Sequence, residues 1–579
     1  MNRLITYTIA VLLCWGCQKD NLPPQNIPVI NNVTVSGITE STALCTFTVT
    51  ITEAIHSVGI NYGTDSSQLT GDFSTNNISG NTFTLPLNNL EDEMVYYYKV
   101  YVRDKMSTYI YSEIGEFKTQ SSPYGSTFSN GITPSGSFRD GDGTSGNPYL
   151  IANAQQLKKM VDDVNNGNGY ANTYFKLTTD IQVTADEWIP IGYGDYNNSN
   201  SSFRGNFDGN GHTISGTLKS DKYSIFGFFG RLDGNAIIAN LTIAATVRNE
   251  GNFASISTYT GAIAGTNYGE ITNCAVLTSA TITGGECRGE SFDSVTGGIA
   301  GINGFNSYTA NIVMPGKIID CNNYANVNGG RGLDHDSQTG GIAGENYGQI
   351  INCKNTGKVM GNGKFSNTGG IAGTNRKIIF ADGVTTINNC INQGTVAGYS
   401  TAADSYTGGI AGNSFGDIID CTVSTSGTIT AGGGNSTHTG GIAGLNNEGK
   451  ITNCTVLAST TIIGGEGSYS CTGGIAGINY VEITNCTNNA IVRVTNSYAG
   501  GFVGRNVRGV IQTSLNTGNI SGGAYNTGGL AGMNDIIDRS HIYSCCTNRG
   551  TVNGQAANDN NQIGDGKAVE PCPDGHTKR

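Results

Sequence analysis

Asp334-His335-Asp336 is the densest set of metal-ligating groups in the chain. Neighbouring residues on an extended segment point in alternate directions, so these three do not converge by themselves. Asp208 and His212 pair a carboxylate with an imidazole, as acid–base chemistry requires. No further histidine, cysteine or carboxylate at ligand spacing accompanies them, and a turn before a strand accounts for both. Asp140-Gly141-Asp142-Gly143-Thr144 opens like a calcium loop. Such a loop needs a bidentate glutamate at its twelfth position, which here is Ile151. The repeated cysteines have no histidine cluster beside them, which argues against zinc. No His-Glu-x-x-His occurs, and no Gly-x-Ser-x-Gly elbow pairs with a histidine. The residues therefore predict no catalytic residue, no cofactor and no metal site.

What positions these groups is a repeat. Thr339-Gly340-Gly341-Ile342-Ala343-Gly344 recurs with small changes nine times, starting at Thr260, Thr296, Thr339, Thr368, Thr407, Thr439, Thr472, Ala499 and Thr527. Phe226-Gly227-Phe228-Phe229-Gly230 is a degenerate forerunner. The starts lie 27 to 43 residues apart. Self-similarity at that period marks a solenoid. Each unit carries the hexapeptide, then asparagine two residues after its last glycine, as at Asn346, with Ser414 as the exception. Next comes Ile-x-Asn/Asp-Cys, as in Ile350 to Cys353, and a short strand such as Val359. Three short strands and three turns fit the shortest units, so each unit reads as one coil of a parallel β-solenoid.

Stacked coils place the same motif position in one column. Ile263, Ile299, Ile342, Ile371, Ile410, Ile442 and Ile475 form an interior ladder continued by Phe502 and Leu530. Cys274, Cys321, Cys353, Cys390, Cys421, Cys454 and Cys486 form another, with Ser514 and then Cys545 or Cys546 extending it. Secreted cysteines usually imply disulfides, but repetition at one motif position points to small buried thiols. Cys287, Cys471 and Cys572 lie off the column without an assignable partner. Ile350 and Cys353 are an odd number of residues apart, so the chain must corner near Asn352 if both face inward. Asn and Asp tolerate the left-handed backbone such a corner needs.

Composition agrees with an exported β protein. Of 579 residues, 85 are glycine and 11 proline, charged residues make up 13%, and net charge is −12. No basic run precedes the last residues, so nucleic acid is not an expected partner. Residues 1–17 are expected to be a signal peptide, with Leu4 to Leu13 too short to span a bilayer. Gly16-Cys17 resembles a bacterial lipoprotein cleavage site, which implies lipidation of Cys17. Cys14-Trp15 departs from the usual pattern, and the alternative is an ordinary secretory signal. Residues 18–28 form a Pro-rich tether. Residues 29–120 alternate apolar and polar as a β-sandwich, with a linker at 121–146, a capping helix and first coils at 147–222, repeats at 223–554 and a tail at 555–579. Leu157, Met160, Val161 and Val164 are spaced for that helix.

Leu90, Tyr96 and Gly115-Glu116-Phe117-Lys118-Thr119 resemble a fibronectin type III domain, which implies that Tyr96 is a corner tyrosine bonding back to the preceding connection. The repeats resemble the GLUG-motif repeats of bacterial surface proteins. The expected fold is thus all-β: a parallel β-solenoid of about ten coils with a short helical N-terminal cap, preceded by a fibronectin type III-like β-sandwich. The resemblance implies an adhesin-like lipoprotein at the outer membrane, exposed on the cell surface. It would be held by its N-terminal lipid and would bind an extracellular glycan or protein. The residues alone imply an exported, non-catalytic scaffold. The alternative is a polysaccharide-degrading β-helix lyase or hydrolase, which needs clustered carboxylates, Lys, Arg or His on one face. Insertions at 284–294, 303–316, 329–337 and 376–384 mark the corners where recognition is expected.

Overall fold

The computed structural model describes residues 28–571 except 40–41, 51–54, 89, 92–93, 106, 121–125, 130, 194–200, 290, 308–311, 378–384, 401–403, 496, 524–525 and 537–539. Cys14, Cys17 and Cys572 lie outside the described residues. Among the described residues no helix is long and apolar enough to cross a membrane. The chain divides into two units, Met1–Pro123 and Tyr124–Arg579.

The first unit has two antiparallel sheets. Ile30–Ser36, Ala43–Val49 and Thr82–Leu87 form one, and Ile55–Gly63 and Val95–Asp104 lead the other. Strand alternation turns Cys45, Phe47, Val58, Ile60, Leu85, Val100 and Val102 into a shared core. The Glu91 N–H donates to the Tyr96 hydroxyl at 2.8 Å.

The second unit is all-β, a parallel solenoid of about eleven coils with one α-helix among the described residues. One sheet of 13 strands runs from Tyr149–Ile151 to His541–Ile542 and another of 11 strands from Phe229–Leu232 to Ile563–Gly566. The helix Ala154–Asn165 starts at Asn153, whose side chain accepts from the Gln156 N–H at 2.9 Å. Its buried face, with Leu157, Met160, Val161 and Val164, joins the core of the first coils. That core is aromatic: Trp188 stacks on Phe228 at 5.5 Å and donates to the Gly227 carbonyl at 3.0 Å.

Two segments differ from the sequence reading. Ser126–Phe128, inside the expected linker, is a strand paired with Ile181–Val183, and Phe128 packs at 5.1 Å from Trp188. A short apolar anchor is hard to see within Ser/Gly-rich chain. Ile563–Gly566, inside the expected tail, extends the ladder from Ala531–Asn534. Cys545 is disulfide-bonded, and every other described cysteine is a free, buried thiol.

The columns follow from register. Ile342 N–H donates to the Ile371 carbonyl at 2.9 Å and Ile371 to Ile410 at 2.9 Å, and the hexapeptide isoleucines are fully buried. Each buried isoleucine contributes about 1.5–3 kcal/mol. The corner residues Asn273, Asp320, Asn352, Asn389, Asp420, Asn453 and Asn485 all have φ between 50° and 56°. They turn the chain so that Ile350 and Cys353 both face inward. Each column thiol contacts the carbonyl two residues back, as Cys353 does with Ile351 at 3.3 Å. Burial pushes the Cys274, Cys353, Cys390 and Cys454 thiols well above their ordinary pKa. Leu515 pairs with Thr547, so Cys546 continues the column above Ser514.

Two buried amide ladders run beside the apolar columns. Asn267, Asn303, Asn346 and Asn375 each donate Nδ2 to the side-chain oxygen at the same position of the next coil, at 2.8 Å for the first three and 3.2 Å for Asn375 to Ser414. The chain resumes from Asn446 through Asn479 and Asn506 to Asn534. The second ladder occupies the position two after cysteine. Asn323, Asn355 and Asn392 link at 2.8 and 2.9 Å, as do Asn488, Asn516 and Asn548 at 2.8 Å. Val276, Val423 and Val456 fill the same column elsewhere. The choice tracks the following turn. An asparagine closes a tight turn by binding the residue two further on, as Asn392 does with the Gly394 N–H at 3.1 Å. After Val276 and Val456 the turn is longer and closes itself, with Ala280 N–H donating to Leu277 and Thr460 N–H to Leu457, both at 3.0 Å.

Ser414 interrupts the first ladder. Its hydroxyl donates to the Gly416 carbonyl at 2.8 Å, and Asn446 Oδ1 is left buried without a donor. Ser414→Asn is therefore expected to stabilise the rod by about 1–2 kcal/mol, since a buried orphan acceptor gains its bond. A higher midpoint of urea unfolding than wild type checks this.

Candidate functional site

The hexapeptide is flanked by two columns that change from coil to coil. On its N-terminal side, register aligns Tyr259, Val295, Gln338, Asn367, Tyr406, His438, Cys471 and Tyr498. On its C-terminal side it aligns Arg231, Thr266, Ile302, Glu345, Thr374, Asn413, Leu445, Ile478 and Arg505. The last glycine of the hexapeptide lets the two strands approach. A Cβ on Gly412 would lie 2.6 Å from Thr368 N, so no side chain fits there. The columns meet along one flank, where Leu445, Cys471, Ile478 and Val507 cluster apart from both cores with Tyr406 and Tyr498 packed on them.

The chemistry of this flank changes along the rod. Toward its C-terminal end, Arg505 forks onto Asp535 at 3.0 and 2.9 Å. His438 is buried, stacks on Tyr406 at 5.5 Å and is pushed down to about 4 by burial, so it is neutral at physiological pH. Nearer the N-terminal end, two long corners bring Asp293 against His335. Asp293 lies in the 284–294 insertion and His335 and Asp336 in the 329–337 insertion of the next coil. One ligand atom from each of Asp293, His335 and Asp336 lies within 4.8 Å of the others. Gln338 Nε2 donates to Asp293 Oδ2 at 3.4 Å. Arg376 binds Glu345 Oε1 through Nε at 3.0 Å and Nη2 at 2.8 Å.

Burial pushes the Asp293 carboxyl up to about 6, and the nearby Glu345 charge adds to the rise. Burial also raises Asp336. The Asp293 carboxylate holds His335 above its ordinary value. Arg376 is raised chiefly by its Glu345 partner, and the Asp293 charge adds to the rise.

The structure separates other groups singled out in the sequence. His212 Nδ1 lies 3.1 Å from Asp180, while Asp208 accepts from Asn240 at 2.9 Å and shares no site with it. Asp142 accepts from the Thr144 N–H at 3.0 Å within a turn. Sequence reasoning stopped at Asp334-His335-Asp336 and missed Asp293, which comes from a different coil. The shared placement of both insertions just before successive hexapeptides was the available signal.

Comparison with known proteins places the description "The GLUG motif" on residues 335–360. A protein of Evansella cellulosilytica named as a Gly-rich membrane protein is 36% identical over 156 residues, which is 25% of this chain and 16% of that one. Halomucin of Haloquadratum walsbyi is 30% identical over 154 residues, 25% of this chain and 2% of that one. The chain thus covers a small part of either relative's length. Among solved structures, a family 28 exopolygalacturonase of Yersinia enterocolitica aligns at 10% identity and TM-score 0.19, covering 91% of this chain and 100% of that one. Pectate lyase PelI of Erwinia chrysanthemi, in complex with tetragalacturonic acid, aligns at 10% identity and TM-score 0.12, covering 75% and 84%. This chain carries the GLUG motif on a repeated parallel β-solenoid.

Proposed function

We propose that this chain is an exported surface protein whose solenoid is a non-catalytic scaffold binding extracellular glycans or surface proteins. The observation that carries this reading is the division of labour between columns. Interior positions repeat Ile, Cys and Asn, whereas the two columns flanking the hexapeptide, themselves mostly buried, change from one coil to the next, and the long corners beside them differ in length and sequence. A rod with a constant interior and varied corners suits extended recognition. In this reading Cys17 is the lipid-bearing residue and residues 29–120 are a fibronectin type III-like spacer, an assignment supported by the Tyr96 bond to Glu91. The helix Ala154–Asn165 caps the first coil by covering its apolar edge. The names of the two relatives, a membrane protein and a halomucin, favour a place at the cell surface.

The test is an array of glycans and matrix proteins probed with residues 18–579. Saturable binding without turnover is the expected result. A second reading, a glycan-cleaving enzyme, draws on Asp293, whose carboxyl is poised to exchange a proton near neutral pH. Release of shortened chains from any arrayed polysaccharide would replace the first reading with the second.

A further inference from the structure

We infer that Asp293, His335 and Asp336 form a binding site for one borderline divalent transition ion of the Zn2+ class, bridging the long corners of two successive coils. The three side chains supply two carboxylate oxygens and one imidazole nitrogen, one ligand atom from each within 4.8 Å of the others. That separation lets a single ion at about 2.0–2.2 Å from each atom be reached by small side-chain rotations. His335 Nδ1 already touches Asp293 Oδ1, so the ligands converge without a backbone rearrangement.

A second observation points to the same place. Gln338 is fully buried, and its amide reaches Asp293, with Nε2 3.4 Å from Oδ2. The Oε1 atom of that same amide is buried with no hydrogen-bond partner. A buried amide oxygen normally has a donor, and an orphan is costly. An ion held by Asp293 gives that oxygen a partner, either directly or through a metal-bound water.

Charge balance selects the valence. Asp293 and Asp336 bring two negative charges into a partly buried pocket. The nearby Arg376 guanidinium forks onto Glu345 rather than onto either of these carboxylates. A divalent cation neutralises the pair and, on binding, displaces the proton that lies between His335 Nδ1 and Asp293 Oδ1. Ligand type then narrows the class: an imidazole beside two carboxylates suits zinc, manganese or iron better than calcium, which prefers an all-oxygen shell. The His335 and Asp293 side chains remain 43% and 24% exposed, so the ion keeps open positions toward solvent. There it can take a further oxygen donor, such as a carboxylate.

Titration of the full chain with Zn2+ against a chromophoric chelator tests the site. One equivalent is expected, half-saturating at or below about 10 μM. His335→Gln and Asp336→Asn should each weaken binding by at least about 10-fold, the scale of losing a metal-site group. Melting of each metal-free variant at the wild-type temperature establishes that it folds. X-ray absorption at the zinc edge should show nitrogen and oxygen neighbours only. Sulfur neighbours, no stoichiometric binding up to about 100 μM, or folded variants with unchanged affinity would each overturn the assignment.

Discussion

Gly412→Val should unfold the middle of the rod, costing more than about 3 kcal/mol, beyond the usual range for overpacking. The reason is backbone, not side chain. A Cβ at Gly412 would sit 2.6 Å from Thr368 N, 2.7 Å from the Gly373 oxygen and 2.8 Å from the Tyr406 oxygen. None of these atoms can rotate away as a flexible side chain can. Relief requires the strand before one hexapeptide to separate from the strand after the next, and that contact repeats up the whole flank. Gly523→Ala is the matched control, because a Cβ there meets nothing within 4 Å. It should change stability by less than about 1 kcal/mol. Urea unfolding followed by circular dichroism measures both. If Gly412→Val melts within about 1 kcal/mol of wild type, the close-approach account of the final glycine is wrong.

Asn346→Leu should cost about 3–5 kcal/mol although leucine is apolar and similar in size. Asn346 Oδ1 accepts from Asn303 Nδ2 at 2.8 Å and from the Gly348 N–H at 3.1 Å, while its Nδ2 donates to Asn375 Oδ1 at 2.8 Å. Leucine removes these three bonds at once, together with the longer ones from Nδ2 to the Gly348 carbonyl at 3.2 Å and the Thr386 carbonyl at 3.4 Å. The Gly348 N–H and the Asn375 oxygen then stay buried without those partners, and each such loss costs about 1–3 kcal/mol. Hydrogen exchange gives a second readout. The loss of protection should centre on the coils holding Asn303 and Asn375 and fade beyond them, since coils couple mainly to their neighbours. A ΔΔG below about 1 kcal/mol would show that the amide ladder is incidental to stability.

Much of the solenoid was legible because its determinants are local and repeated. The isoleucine of each hexapeptide announces its column, and the three-residue step from Ile350 to Cys353 forces a corner that only a left-handed residue such as Asn352 closes well. The amide ladders were less legible. The asparagine after each hexapeptide reads as an ordinary turn former, since turn asparagines are common on surfaces. Its burial follows only when neighbouring coils supply the donor and acceptor. Recurrence at one column position, with the single lapse at Ser414, was the trace of that requirement. The Asp293–His335–Asp336 cluster was least legible. Repeat register fixes where strands stack but not where unequal corner loops lean, and the 284–294 and 329–337 corners converge through side chains that no periodicity relates.

The amide ladder also gives the rod a direction. Every link runs from Nδ2 of one coil to the side-chain oxygen of the next, so each coil offers an acceptor to the coil before it and a donor to the coil after it. The two faces of a coil are therefore complementary rather than alike. A coil that carries the asparagine can follow any other such coil, but none can be inverted. Units of that kind can thus be duplicated, deleted or exchanged in frame with the joint bonded, whereas the Ser414 coil leaves Asn446 Oδ1 without a donor. The length of the protein, and with it the number of varied corners, is a quantity that recombination can change in steps of one coil without posing a new folding problem.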